Sequence, residues 1–347
     1  MRSPTAIISS PGGSRTPSAT SRRRSSARSP HPCRQASPTP RPRVRIVQAE
    51  LLVVREAARV LDDAGLTASI LVRDLATGRE LAHRADAPYP LASIVKLPLA
   101  LAVLRAAETG DLDLAEPVRL DPGRRTPGPT GTCRFEYAAE IAIGDLLSLA
   151  MCVSDDTAAD ALFDRCSPDA VTAVLREVGV EGITVRHRIR DLHETLASRL
   201  SEDERPQALA LAIAASTAGG GHLIPQLDVT GANAGTARAL VDLLERIWGD
   251  PALAREREPL RRLLSGNLVR QRLAPDLESD DAEWFSKTGT FLHLRHEVGV
   301  IEHRDGGVFA IAVLSESSVP AQRQPAAEQA LGAAASLLHD RVRAAAT

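Results

Sequence analysis

Ser93 and Lys96 stand three positions apart at the head of an apolar run, ASIVKLPLALAVLRAAET. Residues i and i+3 share one face of a helix, so a hydroxyl and an amine at this spacing can meet. A serine hydroxyl is a weak nucleophile until a base takes its proton. A lysine partly desolvated on a buried helix has a lowered pKa and can serve as that base, directly or in a relay. The helix N-terminus adds free N–H groups and a positive dipole for a developing oxyanion. A second hydroxyl comes with Ser154-Asp155-Asp156, just before TAADALFD; taken alone, an ordinary helix N-cap is the better account of that triplet. A third group, Lys287-Thr288-Gly289-Thr290, falls in a predicted strand. There an ammonium and a hydroxyl can bind a substrate carboxylate, and a glycine lets the backbone close on a ligand. The plainer alternative is a strand with a surface lysine.

The lysine count bears on these alternatives. Of 42 basic residues only Lys96 and Lys287 are Lys; the other 40 are Arg. Arginine stays protonated and presents a planar fork, so it replaces a surface charge but not a titratable or compact amine. Both lysines fall inside motifs that could use such an amine.

The elements that would position these groups are legible in outline. Residues 47–63 have helical periodicity and stop before Gly65, and 67–85 read as a hairpin turning at Ala76-Thr77-Gly78. Residues 92–109 form an apolar helix closed by Gly110, with Pro98 in its early turns. Residues 121–131 are a Pro- and Gly-rich loop. Helices are predicted over 144–153, 157–165, 168–178, 206–217 and 235–247, the last ending at Trp248. Strands follow at 282–291, 297–304 and 307–315, with Asp305-Gly306-Gly307 as a turn, then an amphipathic helix over 321–343. Two β segments before a helical stretch and three after it imply an α+β fold. One five-stranded antiparallel sheet would be covered by the terminal helices, with an all-helical lobe inserted and the site at the seam. Domains are expected at 1–45, an Arg-, Ser- and Pro-rich tail too polar to fold, and 46–347.

SxxK, then S-D-N, then K-T-G is the motif order of class A β-lactamases and penicillin-binding proteins. The likeness runs beyond the motifs. LASIVKLPLALAVL resembles the family's nucleophile helix, IAIGDLLSLAMCVSDDTAADAL its second-motif segment, and WFSKTGTF with two strands and a helix its carboxy-terminal half. This covers roughly residues 46–345. The resemblance implies a serine hydrolase acting through an acyl-Ser93 intermediate, with Lys96 in proton transfer and Ser154 passing a proton to the leaving nitrogen. It implies that Lys287 and Thr288 bind the substrate carboxylate and that the N–H groups of Ser93 and Thr290 form the oxyanion hole, with Gly289 between them on the strand. The implied substrate is a small β-lactam, ester or amide carrying a carboxylate, handled by a monomer without metal or cofactor.

Two departures stand out. Asp156 occupies the place where the family has Asn, whose N–H would reach the substrate's amide carbonyl. An ionised Asp only accepts, so it must be protonated, pair with Lys96, or face another substrate. The family's deacylating Glu sits in an ExxLN loop; here that register falls on Arg190 within VRHRIRDLHETL, with Asp191 and Glu194 as nearby substitutes. Slow deacylation would suit a peptidase, an esterase or an acylated sensor. Arg295 is a candidate carboxylate ligand or a rim residue. His293 and His296, at i, i+3 on a strand, should face opposite ways and share no metal.

Composition excludes other classes. The tail holds ten Arg and no acid, leaving 32 basic against 44 acidic residues beyond it. An acidic body argues against nucleic acid as partner, and no stretch is long and apolar enough for a membrane span. Arg22-Arg23-Arg24 lacks a following apolar region, which points to the cytoplasm; secretion would require another translation start, with Val44 or Val47 as alternatives. Cys33, Cys133, Cys152 and Cys166 show no CxxC spacing, and Cys152 and Cys166 read as buried thiols. Gly219-Gly220-Gly221 reads as a flexible loop.

Overall fold

The computed structural model describes residues 42–345 of the chain. Residues 1–41 of the expected tail lie outside the described residues. The first helix begins at Pro42, four residues before the expected boundary, with proline at a helix start where its missing N–H costs nothing.

Eleven helices are described: α1 (Pro42–Asp63), α2 (Lys96–Glu108), α3 (Ile143–Cys152), α4 (Asp156–Phe163), α5 (Pro168–Glu177), α6 (Ile189–Arg199), α7 (Ala208–Ala214), α8 (Ala237–Gly249), α9 (Ala254–Ser265), α10 (Ala274–Leu277) and α11 (Pro325–Arg343). The strands are β1 (Leu66–Asp74), β2 (Glu80–His83), β3 (Pro88–Pro90), β4 (Pro117–Leu120), β5 (Ala139–Ala142), β6 (Ile183–Thr184), β7 (Ala234–Thr236), β8 (Ala282–Phe291), β9 (Leu294–His303) and β10 (Val308–Ser317).

The main sheet has the order β2-β1-β10-β9-β8, antiparallel throughout. The expected five-stranded sheet is therefore present, assembled from both ends of the chain. Strand β10, VFAIAVLSES, is apolar along almost its whole length because both faces are covered. Ile311 and Val313 point to one core with Ile70, Val72, Trp284 and Leu331 of the terminal helix layer. Ala310, Ala312 and Leu314 point to the other, with Leu71, Val298 and the residues of α2, α3, α8 and α9. The turns hold as read: Gly78 and Gly306 take positive φ, and the carboxylates of Asp74 and Asp305 accept loop N–H groups.

The inserted lobe differs from expectation in three ways. It is not all-helical: β3, β7 and β6 form a three-stranded sheet, and β4 pairs with β5. The helix expected at 206–217 shortens to Ala208–Ala214 after a 3-10 turn. Helices α6 and α9 were not expected. Helix α9 (AREREPLRRLLS) carries an internal Pro259 and a polar face that mask its periodicity, yet Leu260 and Leu264 are fully buried. Among the described residues, no helix is long and apolar enough to cross a membrane.

Candidate active site

Helix α2 is preceded by a 3-10 turn, Ala92–Val95, so Ser93 sits one turn ahead of the helix proper. Ala92 has φ +47°, a strained value for a residue with a side chain, which turns the chain sharply into Ser93. Every residue from Lys96 to Leu104 is buried. The helix is therefore fixed on all sides, as its unbroken apolar composition requires.

The backbone of β8 passes directly against this turn. A Cβ on Gly289 would lie 2.9 Å from the carbonyl oxygen of Leu91 and 2.9 Å from Ile94. Close approach of the strand to the turn that carries Ser93 is thus why glycine is required at this point of the Lys-Thr-Gly motif.

Ser154 also has positive φ, +57°, between α3 and α4. The triplet divides its work. Asp155 caps α4 through Ala158 N (3.1 Å) and holds Thr132 N (2.7 Å) and Thr132 Oγ1 (2.8 Å). Ser154 and Asp156 face the seam instead. Lys96 Nζ donates to Ser154 O (2.8 Å), Ser154 Oγ (3.3 Å) and Asp156 Oδ1 (2.6 Å). Lys287 Nζ, from the opposite side, donates to Ser154 Oγ (3.2 Å) and Thr288 O (2.8 Å). One hydroxyl is held between the chain's two lysine ammoniums.

Both lysines are almost wholly buried, so the surface reading of Lys287 does not hold. Burial, then repulsion from Lys96, pushes the Lys287 ammonium well below the ordinary lysine range. Burial works against the Asp156 carboxylate as well. The charge of Lys96 and the hydrogen bond from His193 outweigh it and hold Asp156 at about 2. Of the three fates open to Asp156, pairing with Lys96 is the one adopted.

Behind β8 lies a second layer invisible in the motifs. Arg272, fully buried, donates to Gly289 O (3.1 Å), His296 O (2.7 Å) and Thr290 Oγ1 (2.6 Å). Glu297 accepts from Trp284 Nε1 (2.9 Å), Ser286 Oγ (2.7 Å) and Leu273 N (3.0 Å). These bonds fix the strand that carries Lys287, Thr288 and Thr290. Arg295 has its guanidinium on the carbonyls of Leu292 (2.5 Å), Leu294 (2.8 Å) and Gln322 (3.0 Å), a structural role rather than a rim or ligand position. His296 is buried, its pKa lowered to about 4 chiefly by desolvation. Its Nε2–H donates to Pro90 O (2.8 Å) and its Nδ1 accepts from Ser315 N (3.0 Å). His293 lies apart, 3.6 Å from Glu316. Among the described residues no group of side chains is arranged to hold a metal.

The other wall of the seam is α6. Asp156 and Asp160 are one turn apart on α4 and therefore share a face. Asp160 accepts from the N–H groups of Ile189 (2.8 Å) and Arg190 (2.8 Å) at the start of α6, and from the Thr126 hydroxyl. This anchors the helix N-terminus on a carboxylate. One turn further on, His193 Nε2 comes to 3.5 Å from Asp156 Oδ2, with Phe291 packed edge-on against the ring. Arg190, at the family's Glu register, faces Asp160 and Asp164. Asp191 caps α6 through Arg188 N (2.8 Å). Glu194 is exposed in a second hollow with Arg124, Thr126 and Ala197, which His193 also lines.

A narrow cavity of about 30 Å³ opens beside Ser93, lined by Asp156, His187, His193, Gln226, Asn233, Thr290 and Phe291 among others. Neither Asp191 nor Glu194 lines it. His193, His187 and Asn233 are site residues the sequence reading did not single out.

Comparison with known proteins agrees with this architecture. A sequence profile of the β-lactamase enzyme family matches residues 52–342. The β-lactamase regulatory protein BlaB of Streptomyces cacaoi is 52% identical over 304 residues, covering 84% of this chain and 97% of its own. The β-lactamase L2 of Stenotrophomonas maltophilia is 34% identical over 143 residues, 36% of this chain and 46% of its own. The crystal structure of a β-lactamase from Sphaerobacter thermophilus shares the fold with TM-score 0.65 at 23% identity, over 85% of this chain and 95% of its own. The profile spans the sheet, the helical lobe and both lysine motifs, and the chain belongs to the β-lactamase enzyme family.

Proposed function

We propose that Ser93 is the nucleophile of an acyl-transfer site that opens a β-lactam, ester or amide bearing a carboxylate, through an acyl-Ser93 intermediate. The observation that carries this reading is the Ser154 hydroxyl held 3.3 Å from Lys96 Nζ and 3.2 Å from Lys287 Nζ. A hydroxyl so placed relays a proton between an amine and a leaving nitrogen.

The roles follow from the positions. Ser93 Oγ attacks the carbonyl carbon and its proton leaves through the Lys96–Ser154 pair. The Ser93 and Thr290 N–H groups receive the oxyanion. Lys287 and Thr288 bind the carboxylate, whose arrival restores full charge to an ammonium that burial disfavours. Asp156 engages the Lys96 amine in an ion pair of 2.6 Å, which has to open before Lys96 can act on Ser93. Acylation is therefore expected to be slower than a free lysine would give.

A second reading, an acyl-protein that signals rather than turns over, is supported by the relative named as a regulatory protein. Both readings require Ser93 to be acylated. Fluorescent penicillin labelling, followed by gel electrophoresis, tests this. The wild type is expected to label and Ser93→Ala to stay dark; equal labelling of both would remove Ser93 as the nucleophile.

A further inference from the structure

The cavity beside Ser93 is lined by both apolar and polar side chains, and its volume of about 30 Å³ has room for a water molecule. Three polar side chains could act on such a water: Asp156, His187 and His193. Asp156 has one oxygen on Lys96 and the other toward His193. His187 is locked, its Nδ1–H donating to Arg188 O (2.8 Å) and its Nε2 accepting from Asn233 N (3.1 Å). His193 differs. With Nε2–H turned to Asp156, the ring's lone pair is on Nδ1, and no hydrogen bond among the described residues engages that atom. Gln226, on the same cavity, has a buried Oε1 with no partner among the described residues, an acceptor that a water would satisfy.

The ring is also held in place. Asp160 pins the start of α6, Phe291 packs edge-on against the imidazole, and Asp156 orients it. A carboxylate that fixes the tautomer of a histidine beside a serine nucleophile is the arrangement general-base catalysis uses.

We propose that His193, oriented by Asp156, is the general base that hydrolyses the acyl-Ser93 intermediate. This rests on acylation of Ser93. Water attacks the acyl carbon as one of its protons passes to His193. The tetrahedral intermediate then collapses, the bond from the acyl carbon to Ser93 Oγ breaks, and His193 returns the proton to that oxygen. The products are a free carboxylic acid and regenerated serine. The acid that the family carries on its ExxLN loop is here moved to the middle motif, where it supports a histidine on the facing helix. That gives Asp156 a second partner besides Lys96, and its negative charge would stabilise the imidazolium formed when His193 takes the proton.

The test uses the full chain and benzylpenicillin, with intact mass followed after excess drug is removed. In His193→Ala and His193→Gln an adduct on Ser93 is still expected to form, which also reports that the site is folded. The adduct is expected to persist on the order of 100-fold longer or more. Added imidazole should shorten the adduct lifetime in His193→Ala and leave the wild type unchanged, which a merely structural role would not produce. Variant adducts that decay at the wild-type rate would overturn the proposal, as would a wild-type adduct that lasts for hours; either result leaves acylation of Ser93 intact. A wild type that gives neither adduct nor penicilloate would remove both this proposal and the acylation on which it rests.

Discussion

The two walls of the seam are held by different means. The wall made by α2 and β8 is backed by apolar core behind α2 and by a buried hydrogen-bonded layer behind β8. Lys96 and Lys287 emerge from buried surroundings, Gly289 lets strand and turn touch, and Arg272 with Glu297 ties the strand from behind. The wall made by α4 and α6 is held by carboxylates: Asp160 on the α6 N-terminus, Asp156 on Lys96 and His193. The first wall resembles the family's motifs almost residue for residue. The second departs from them at two positions, Asp156 in place of the family's substrate-binding Asn and Arg190 at the register of its deacylating Glu. On the proposed roles, the groups that would make an acyl-serine stay fixed while those that would remove it lie on the facing helix.

Breaking the first wall should have the largest effect. Lys96→Arg keeps the charge and the pairing with Asp156 but cannot give up a proton. Labelling of Ser93 should fall by about 100-fold or more, measured as the rate of adduct formation. A wild-type rate in this variant would show that Lys96 acts as a charge and not as a base.

The bond between the walls comes next. Asp156→Ala leaves Lys96 buried without its carboxylate and should cost about 3 kcal/mol in denaturant unfolding. A loss below about 1 kcal/mol would mean that the Ser154 carbonyl and hydroxyl suffice for the ammonium.

The same carboxylate should give the fold an acid limit. Its pKa of about 2 lies below the ordinary aspartate value, so its contribution is complete above about pH 4 and is lost as pH falls toward 2. That contribution is roughly 2 kcal/mol. Urea midpoints at pH 5, 4 and 3 should drop more steeply for wild type than for Asp156→Asn; parallel slopes would place the acid sensitivity elsewhere.

The smallest effect is expected at the residues nearest the family's Glu register. Glu194→Gln, exposed and outside the cavity, should leave the adduct lifetime within about twofold. Asp191→Asn should act only through its cap on α6, costing about 1 kcal/mol or less. A long-lived adduct in Glu194→Gln would move the hydrolytic base from His193 to that carboxylate.

Much of the first wall was legible because its signals are local. The i, i+3 spacing of Ser93 and Lys96, the unbroken apolar run behind them, and the rarity of lysine require no knowledge of tertiary structure. The sheet was legible for the same reason, since turn residues bracket runs of the right length. The second wall is long-range. His193 sits in a polar stretch with no motif, and what gives it meaning is a carboxylate 37 positions earlier that only the packing of α4 on α6 brings close. Arg272 lies in a segment without a motif, and it is meaningful only because folding buries it against the carbonyls of Gly289 and His296. The pairing of Asp156 with Lys96 was one of three alternatives in the sequence, and burial of the lysine decides between them. An unpaired ammonium there would be far costlier than a shared carboxylate.

The most direct measurement is the intact mass of the full chain after a few seconds with benzylpenicillin, combined with peptide mapping of any adduct. A mass increase of one penicilloyl group on the peptide carrying Ser93, absent in Ser93→Ala, is the expected result. An unmodified wild type that also releases no penicilloate, or a modification on any other residue, would contradict the assignment of Ser93 as the acyl acceptor.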